Sequence, residues 1–436
     1  MNWLGTAQGV LAATIKPLAL QSGSHQAIMV QLPAALPIMP KVLNSLILLL
    51  SCLGCFLSSW IVIPAPIYAL LILGVGAPEV SHWLIILNFI LLGITTTQAI
   101  LASRVGRKQG IILVISTVGL ILSLLPLLQL PTTQQKMSAA MFKNLGADYL
   151  ASIPDQMLHK MRKHPFILAD AFRGIATKEV RYTPNIQFAA PDGVPLSMDI
   201  YRPEKLGKYP AIVILYGGAW QYGNPKSNAE FSRYMAARGY TIFAIDYRHA
   251  PRYRFPAQLD DVRAALDFIR QNAVKYEAQA DRIALLGRSA GGHLAMLAAY
   301  QPDAFPVQAV VSYYGPFNLT EGYKDPPKPD PLNVRALLVA FLGGTPEQLP
   351  EQYIKASPAS YVTRKLPPTL LVHGSRDHIV EVRFARDMYQ RLQAVGTTSV
   401  LLEIPWAEHA FDAIFNGLSN QLALYYTERF LAWTLK

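Results

Sequence analysis

Three long apolar runs without Lys, Arg, Asp or Glu lie in the first 130 residues and limit what this chain can fold into. They cover residues 42–63, 82–103 and 110–130, and each is about 20 residues long, the helix length that crosses a hydrocarbon layer of roughly 30 Å. A cleaved signal peptide fits poorly, because the first run starts late and further runs follow it. The sequence therefore predicts transmembrane α-helices over residues 42–130, preceded by a mixed polar and apolar segment at residues 1–41.

Basic residues between the second and third runs indicate an orientation. Arg104, Arg107 and Lys108 lie in this short connection, and the positive-inside rule places such a loop in the cytoplasm. With three crossings, the rest of the chain is then predicted on the periplasmic or lumenal side. Residues 67–76 are also apolar but too short to span alone, so they are either re-entrant or an extension of a neighbouring helix.

Composition argues against two other classes of protein. The formal net charge is +11, yet Lys and Arg are scattered and no nucleic-acid-binding motif is recognisable, so no nucleic-acid partner is predicted. Cys52 and Cys55 have C-x-x-C spacing, but both lie inside the first apolar run and no second cysteine pair completes a zinc site. We interpret them as small residues of a membrane helix, and no metal site is predicted.

The pattern changes after a polar connector at residues 131–180. Residues 181–436 alternate short β-rich runs with segments of helical periodicity, which predicts one α/β domain whose mostly parallel sheet is flanked by helices. Residues 316–363 interrupt this alternation with a proline-rich stretch and a helical one. They are either a lid over a site or a plain surface excursion.

The stretch ALLGRSAGGHLAML places Ser289 where a buried strand gives way to a helix. Gly287 and Gly291 stand two residues to either side, a spacing that permits a sharp, strained turn with the hydroxyl projecting outward. This arrangement is typical of a nucleophile. A G-x-S-x-G pattern alone also arises by chance, so the prediction depends on partners elsewhere in the chain.

Two such partners follow Ser289 in the sequence. A serine hydroxyl needs a base in hydrogen-bond contact, and that base needs an orienting group. Asp377 follows a predicted strand in LLVHGSRD, and His409 follows the next strand in IPWAEHAF. Because the carboxyl ends of parallel strands meet at one edge of a sheet, we expect nucleophile, acid and base to converge there.

The loop ILYGGAWQYG is suited to stabilising an oxyanion. It follows the third predicted strand, and its glycine pair lets backbone N–H groups turn toward a substrate oxygen. We predict donors at Gly218 and Ala219 within a loop that begins at Gly217. The N–H of Ala290, directly after the nucleophile, completes the predicted oxyanion hole.

These motifs together resemble the α/β-hydrolases of the hormone-sensitive-lipase-like, acetyl-esterase group. The resemblance covers residues 181–436 and rests on YGGAW (216–220), DYRHAP (246–251), GRSAGG (287–292), HGSRD (373–377) and EHAF (408–411). It implies hydrolysis of carboxylic esters through an acyl-serine intermediate, without a metal or organic cofactor. One departure is Tyr216, which stands where the family usually has a histidine, and the family's histidine is mainly a loop organiser.

The sequence thus predicts a membrane-anchored serine esterase that acts on a small-molecule or lipid-derived ester and contacts membrane lipid. Two alternatives stay open. The same triad suits a serine peptidase or amidase of related fold, and a hydrolase fold also serves as a non-catalytic, membrane-tethered binding protein.

Overall fold

The computed structural model describes residues 39–436, so nearly all of the segment predicted over residues 1–41 lies outside the described residues. Contacts divide the chain into two units, residues 1–45 and residues 46–436.

The N-terminal part is helical. Its helices are α1 (Met39–Ser59), α2 (Tyr68–Glu79), α3 (Ser81–Leu101) and α4 (Arg107–Leu145). Three of them contain segments that are long and apolar enough to cross a membrane: Val42–Ser59, Ser81–Leu101 and Arg107–Leu145. Of the apolar residues 67–76, all except Ile67 fall within α2, a separate short helix between the first two of these segments.

Small and polar side chains hold the long helices together. Asn88 of α3 lies against Gly119 of α4 and Gly54 of α1, and it donates through Nδ2 to Ser58 Oγ at 3.1 Å. A Cβ at either glycine would collide with the Asn88 side chain. Ser116 Oγ donates to Ser51 Oγ at 2.9 Å in a second buried contact. Close approach through small residues and interhelical hydrogen bonds is how helices associate in lipid.

Helix α4 is much longer than its apolar run predicts. It continues through Pro126 and Pro131 to Leu145, so the region predicted as a connector at 131–180 begins as helix. Its last turns pack into the core of the C-terminal sheet, where Met137 and Met141 are buried with α14. This tertiary packing explains why the helix persists beyond the two prolines, each of which removes only one backbone donor.

Short helices α5 (Asp155–Leu158) and α6 (Leu168–Arg173) lead into an eight-stranded sheet. The strands are β1 (Val180–Ala189), β2 (Leu196–Pro203), β3 (Tyr209–Leu215), β4 (Thr241–Ile245), β5 (Ala278–Arg288), β6 (Ala309–Tyr313), β7 (Thr369–Gly374) and β8 (Ser399–Ile404). Their order is β1-β2-β4-β3-β5-β6-β7-β8, and all pairs are parallel except β1–β2 and β2–β4. The predicted mostly parallel sheet is confirmed.

Helices cover both faces of this sheet domain (residues 180–436). They are α7 (Ala229–Ala236), α8 (Ala257–Asn272), α9 (Ala290–Tyr300), α10 (Leu319–Lys324), α11 (Val334–Leu342), α12 (Pro350–Lys355), α13 (Val382–Ala394) and α14 (Leu418–Thr434). Helices α8, α9 and α13 pack on one face, whereas α7, α14 and the end of α4 pack on the other. In α13 the buried residues are Ala385, Met388 and Leu392, the helical spacing that turns one stripe to the core.

Candidate active site

Ser289 lies on a strained turn between β5 and α9. Its backbone has φ 50° and ψ −121°, a conformation that residues other than glycine rarely adopt. The flanking glycines explain how the turn closes. A Cβ on Gly287 would overlap the carbonyl group of Gly291, and a Cβ on Gly291 would overlap the carbonyl oxygens of Leu215 and Tyr216. The spacing of small residues around Ser289 is therefore a steric requirement of this turn.

This crowding predicts the effect of adding one methyl group. Gly287→Ala forces the backbone of the turn to move, because the overlapping atoms belong to the main chain. We expect hydrolytic activity to fall about 100-fold or more, since small misplacements of reacting groups cost rate on that scale. Ala at Gly93, a position within α3 where a Cβ meets nothing within 4 Å, is the matched control. Equal activity of both variants would contradict the steric argument.

The residues predicted as nucleophile, base and acid form a consecutive series, in which the base lies within hydrogen-bond distance of both the nucleophile and the acid. Ser289 Oγ is 3.0 Å from His409 Nε2, and His409 Nδ1 is 2.8 Å from Asp377 Oδ2. Asp377 follows β7 and His409 follows β8, on the same sheet edge as the end of β5. Both side chains are almost fully buried, and the ring of Tyr314 lies 4.6 Å from that of His409.

Asp377 is held in one orientation as an anion. Its Oδ1 accepts the backbone N–H groups of Ile379 at 2.9 Å and Val380 at 2.8 Å, while His373 Nε2 lies 3.3 Å from Oδ2. Burial opposes ionisation, but His409 and His373 outweigh it and hold the pKa of Asp377 well below its usual range. An ionised carboxylate here fixes the His409 proton on Nδ1 and leaves Nε2 free to accept from the serine.

The electrostatic surroundings also make His409 more basic. Burial alone lowers the pKa of this imidazole, but the Asp377 carboxylate, with smaller contributions from Glu408 and Asp412, raises it above its ordinary value of 6.5. The net direction is upward because an anionic partner in direct contact stabilises the imidazolium.

The loop after β3 passes directly over Ser289. A Cβ on Gly217 would lie 2.9 Å from Arg288 O and 3.2 Å from Ser289 Cβ, so only glycine fits there without a shift.

The next residues of the loop, Gly218, Ala219 and Trp220, all have positive φ. Within residues 39–436, the N–H groups of Gly218, Ala219 and Ala290 find no hydrogen-bond acceptor. These groups line the same cavity as Ser289 and His409.

Tyr216 organises this loop from below. Its hydroxyl donates to Asp246 Oδ1 at 2.5 Å and lies 2.9 Å from His249 Nε2, and its ring stacks on Tyr247 with centroids 4.4 Å apart. Its ring also packs on Gly223, where a Cβ would collide with it. Tyr216 thus packs against the loop and does not line the cavity.

Sequence reasoning missed a buried ion pair beside Ser289. Arg288 donates to Asp412 through Nε, and Tyr314 donates to the other oxygen of the same carboxylate. The Arg288 guanidinium also lies over the ring of Phe231, 4.4 Å from its centroid. All three polar side chains line the cavity. Arg288, immediately before Ser289, could have indicated an ion pair at this place. Its partner Asp412, however, lies 124 residues further along the sequence.

A second missed contact links the loop after β3 to the insertion at 316–363. Trp220 Nε1 donates to His293 Nδ1 at 3.2 Å, and His293 Nε2 donates to Ala356 O at 2.6 Å. Burial lowers the pKa of His293 to about 4, so this histidine is neutral at ordinary pH. The contact ties the loop after β3 to α9 and to the insertion.

The cavity above Ser289 has a volume of about 1010 Å³. Its walls come from the loop after β3, from the insertion through Phe317, Leu319 and Leu338, and from α2 through Tyr68 and Leu71. Most of these side chains are apolar. Within the described residues 39–436, no group of three or more His, Cys, Asp or Glu side chains is placed to hold a metal ion.

Part of this chain is similar to known proteins. Residues 198–392 match the family model BD-FAE. Esterase LipC of Mycobacterium tuberculosis is 37% identical over 239 residues, which cover 50% of this chain and 57% of LipC. The probable carboxylic ester hydrolase LipM of the same organism is 33% identical over 251 residues, 54% of this chain and 57% of LipM. The chain thus spans less than three fifths of the length of these relatives.

A solved structure shows the fold. The hyperthermophilic esterase from the archaeon Pyrobaculum calidifontis superposes with a TM-score of 0.53 at 22% identity, covering 59% of this chain and 86% of that one. The family match and the sheet topology lead to the same conclusion. This chain carries a domain of the α/β-hydrolase fold that is similar in sequence to the BD-FAE family over residues 198–392, with apolar helices added at its N-terminal side.

Proposed function

We propose that this protein is a membrane-anchored serine hydrolase that cleaves carboxylic esters. The observation that carries the proposal is the hydrogen-bonded series from Ser289 Oγ to His409 at 3.0 Å and on to Asp377 at 2.8 Å. The names of the relatives LipC and LipM, an esterase and a probable carboxylic ester hydrolase, support the same bond type.

The acylation step follows from this geometry. Ser289 Oγ attacks the ester carbonyl carbon while His409 Nε2 takes the hydroxyl proton. The carbonyl oxygen becomes an oxyanion, which the N–H groups of Gly218, Ala219 and Ala290 stabilise, with Gly217 setting the course of the loop. The carbon–oxygen bond to the alcohol then breaks, and His409 gives its proton to the departing oxygen. Acyl-serine and free alcohol result.

Deacylation uses the same groups in turn. His409 takes a proton from water, and the water oxygen attacks the acyl carbon. The bond to Ser289 Oγ breaks, His409 returns the proton to the serine, and the carboxylic acid leaves. Asp377 stays ionised throughout and stabilises the imidazolium that forms in both steps.

The raised pKa of His409 predicts the acid limb of the pH profile. Only the neutral imidazole acts as a base, so kcat/KM is lost as pH falls through the pKa of the free enzyme. Because Asp377 raises that pKa above 6.5, we expect the midpoint above pH 6.5, with about a tenfold loss for each further unit below it. A profile of kcat/KM for a soluble ester from pH 5 to 9 measures this, and a midpoint clearly below 6.5 would contradict it.

Matched ester and amide substrates test the bond type. The purified full chain in detergent is assayed with p-nitrophenyl butyrate and with the corresponding p-nitroanilide. We expect ester turnover well above amide turnover. A preference for the amide would favour the peptidase or amidase alternative. Failure of a fluorophosphonate to label the protein at all would favour the non-catalytic binding protein, since labelling needs an activated serine.

We further propose that α1, α3 and α4 cross a membrane and hold the hydrolase domain on the periplasmic or lumenal side. The start of α3 contacts α6, where His82 Nε2 lies 3.1 Å from Ala171 O, and Asn416 of the hydrolase domain donates to the same carbonyl oxygen at 2.8 Å. The end of α4 packs into that domain's core. The loop with Arg104 therefore lies at the far ends of α3 and α4, roughly 30 Å away for a helix of this length. Its positive charge favours the cytoplasmic side.

The insertion at 316–363 is proposed to act as a lid. It contains α10, α11 and α12, and its residues Phe317, Leu319, Val334 and Leu338 line the cavity. A lid of this kind excludes water from the acyl-enzyme and supplies apolar contacts to the substrate.

A further inference from the structure

Helix α2 forms part of the cavity wall although it belongs to the apolar N-terminal region. Tyr68 and Leu71 line the cavity that contains Ser289 and His409. Tyr68 is 71% exposed, so the cavity reaches the molecular surface at this helix. Helix α2 lies between the candidate spans α1 and α3. Ester hydrolysis itself does not require such a helix in the cavity wall.

The hydrolase domain holds α2 firmly in this place. Glu79, at the end of α2, is fully buried, and its Oε2 accepts the backbone N–H of Ser419 at 2.8 Å, at the start of α14. The Ser419 hydroxyl donates to the other carboxylate oxygen, and Trp406 Nε1 donates to that hydroxyl at 2.9 Å. Arg376 donates to Val62 O in the turn before α2. These contacts make α2 a fixed wall of the cavity.

The outward face of the same segment is apolar and uncovered. Ile63, Ile67, Tyr68 and Ile72 are 50%, 54%, 71% and 74% exposed. In residues 60–80 the one charged side chain is Glu79, which is turned into the hydrolase domain. Contiguous exposed apolar side chains of this kind mark a surface that meets another apolar phase.

The position of α2 identifies that phase. The segment starts where α1 ends at Ser59 and stops where α3 begins at Ser81, so it lies at the level where two candidate spans end. Trp83, which is 51% exposed, packs edge-on against Phe172 at 4.7 Å at this same level. Exposed aromatic rings at span ends are typical of the membrane interface.

We infer that the cavity receives its substrate from the bilayer, past the exposed face of α2, and that the substrate is a lipid ester whose acyl chain dissolves in the hydrocarbon layer. This inference rests on the proposed function and on the proposed membrane spans. The apolar walls from α2 and from the insertion accept the chain, while the ester carbonyl reaches Ser289 at the base of the cavity.

A substitution on the outward face of α2 tests the route of entry. The full chain is reconstituted in phosphatidylcholine vesicles and assayed with bilayer-dissolved p-nitrophenyl palmitate and with water-soluble p-nitrophenyl acetate. Ile72 lies outside the cavity lining, and Ile72→Asp places a charge on the lipid-facing path. We expect the ratio of palmitate to acetate turnover to fall about tenfold or more. Val274→Asp, an equally exposed apolar site at 78%, is the matched control and should keep the ratio.

The outcomes distinguish failure of the proposed function from failure of the inferred route of substrate entry. If neither ester is hydrolysed in a Ser289-dependent way, the proposed function is wrong. If both are hydrolysed and Ile72→Asp leaves the ratio at the wild-type value, the inferred route is wrong.

A second measurement depends neither on activity nor on a destabilising charge. Ile72→Trp and Val274→Trp are compared in vesicles with and without acyl-chain-brominated phosphatidylcholine, after subtraction of the parent tryptophan signal. We expect the bromines to quench the added fluorescence of Ile72→Trp and to leave that of Val274→Trp unchanged. An unquenched Ile72→Trp would overturn the inference, because α2 would then face water.

Discussion

Ser289→Ala is expected to lower kcat for p-nitrophenyl butyrate about 10⁶-fold, the cost of removing a nucleophile whose base and acid can act only through it. The hydroxyl lies 3.0 Å from His409 Nε2 and is the one atom of the triad placed to attack a carbonyl in the cavity. Residual turnover should come only from the oxyanion donors and from substrate binding. Steady-state rates in detergent, with enzyme concentration set by active protein mass, measure the change.

The fold should survive this substitution, since the turn is shaped by Gly287, Gly291 and the main chain rather than by the hydroxyl. Thermal unfolding followed by circular dichroism checks this. Ser360→Ala, at an exposed serine in the insertion, is the matched control and should keep full activity. A Ser289→Ala variant that retains more than a few per cent of the rate would remove the basis of the proposed mechanism.

Asp377→Asn should give the second largest loss, about 10³–10⁴-fold in kcat. The amide NH₂ facing His409 Nδ1 would favour the imidazole tautomer with its proton on Nε2, which cannot accept from Ser289. The acid limb should also move to lower pH, because the first anion raising the pKa of His409 is gone. Rates measured across pH 5–9 report both effects.

Glu408→Gln distinguishes the orienting acid from its neighbour. Glu408 is also buried and accepts the backbone N–H groups of His378 at 2.7 Å and His409 at 2.9 Å, but it makes no side-chain contact with the His409 ring among the described residues. We expect a loss far smaller than that of Asp377→Asn. Equal losses, or a larger one at Glu408, would mean that the acid is wrongly identified.

The sequence was most informative where chemistry and sheet geometry coincide. Ser289, Asp377 and His409 each follow a parallel strand, and such strand ends share one edge of a sheet, so their convergence followed from strand assignment alone. The glycines around Ser289 were equally predictable, because a sharp turn leaves no room for a Cβ. The catalytic roles of the three residues remain predictions until the variants are assayed.

Features that depend on distant contacts were not predictable in the same way. Glutamate side chains are seldom buried unless they are paired, yet Glu408 is buried and pairs with His378 Nδ1 at 2.6 Å. Helix α4 outlasts its apolar run because its last turns enter the core of the hydrolase domain. The place of α2 in the cavity wall depends on Glu79 meeting Ser419, a contact across 340 residues. No local pattern encodes such pairings.

Covalent trapping of the nucleophile tests the central claim most directly. The full-length protein is inactivated with diethyl p-nitrophenyl phosphate, digested and mapped by mass spectrometry. We predict one diethylphosphoryl group per chain, on the peptide containing Ser289, with its formation tracking the loss of esterase activity and prevented by excess ester. Inactivation without modification of Ser289, or full activity in protein modified there, would contradict the account.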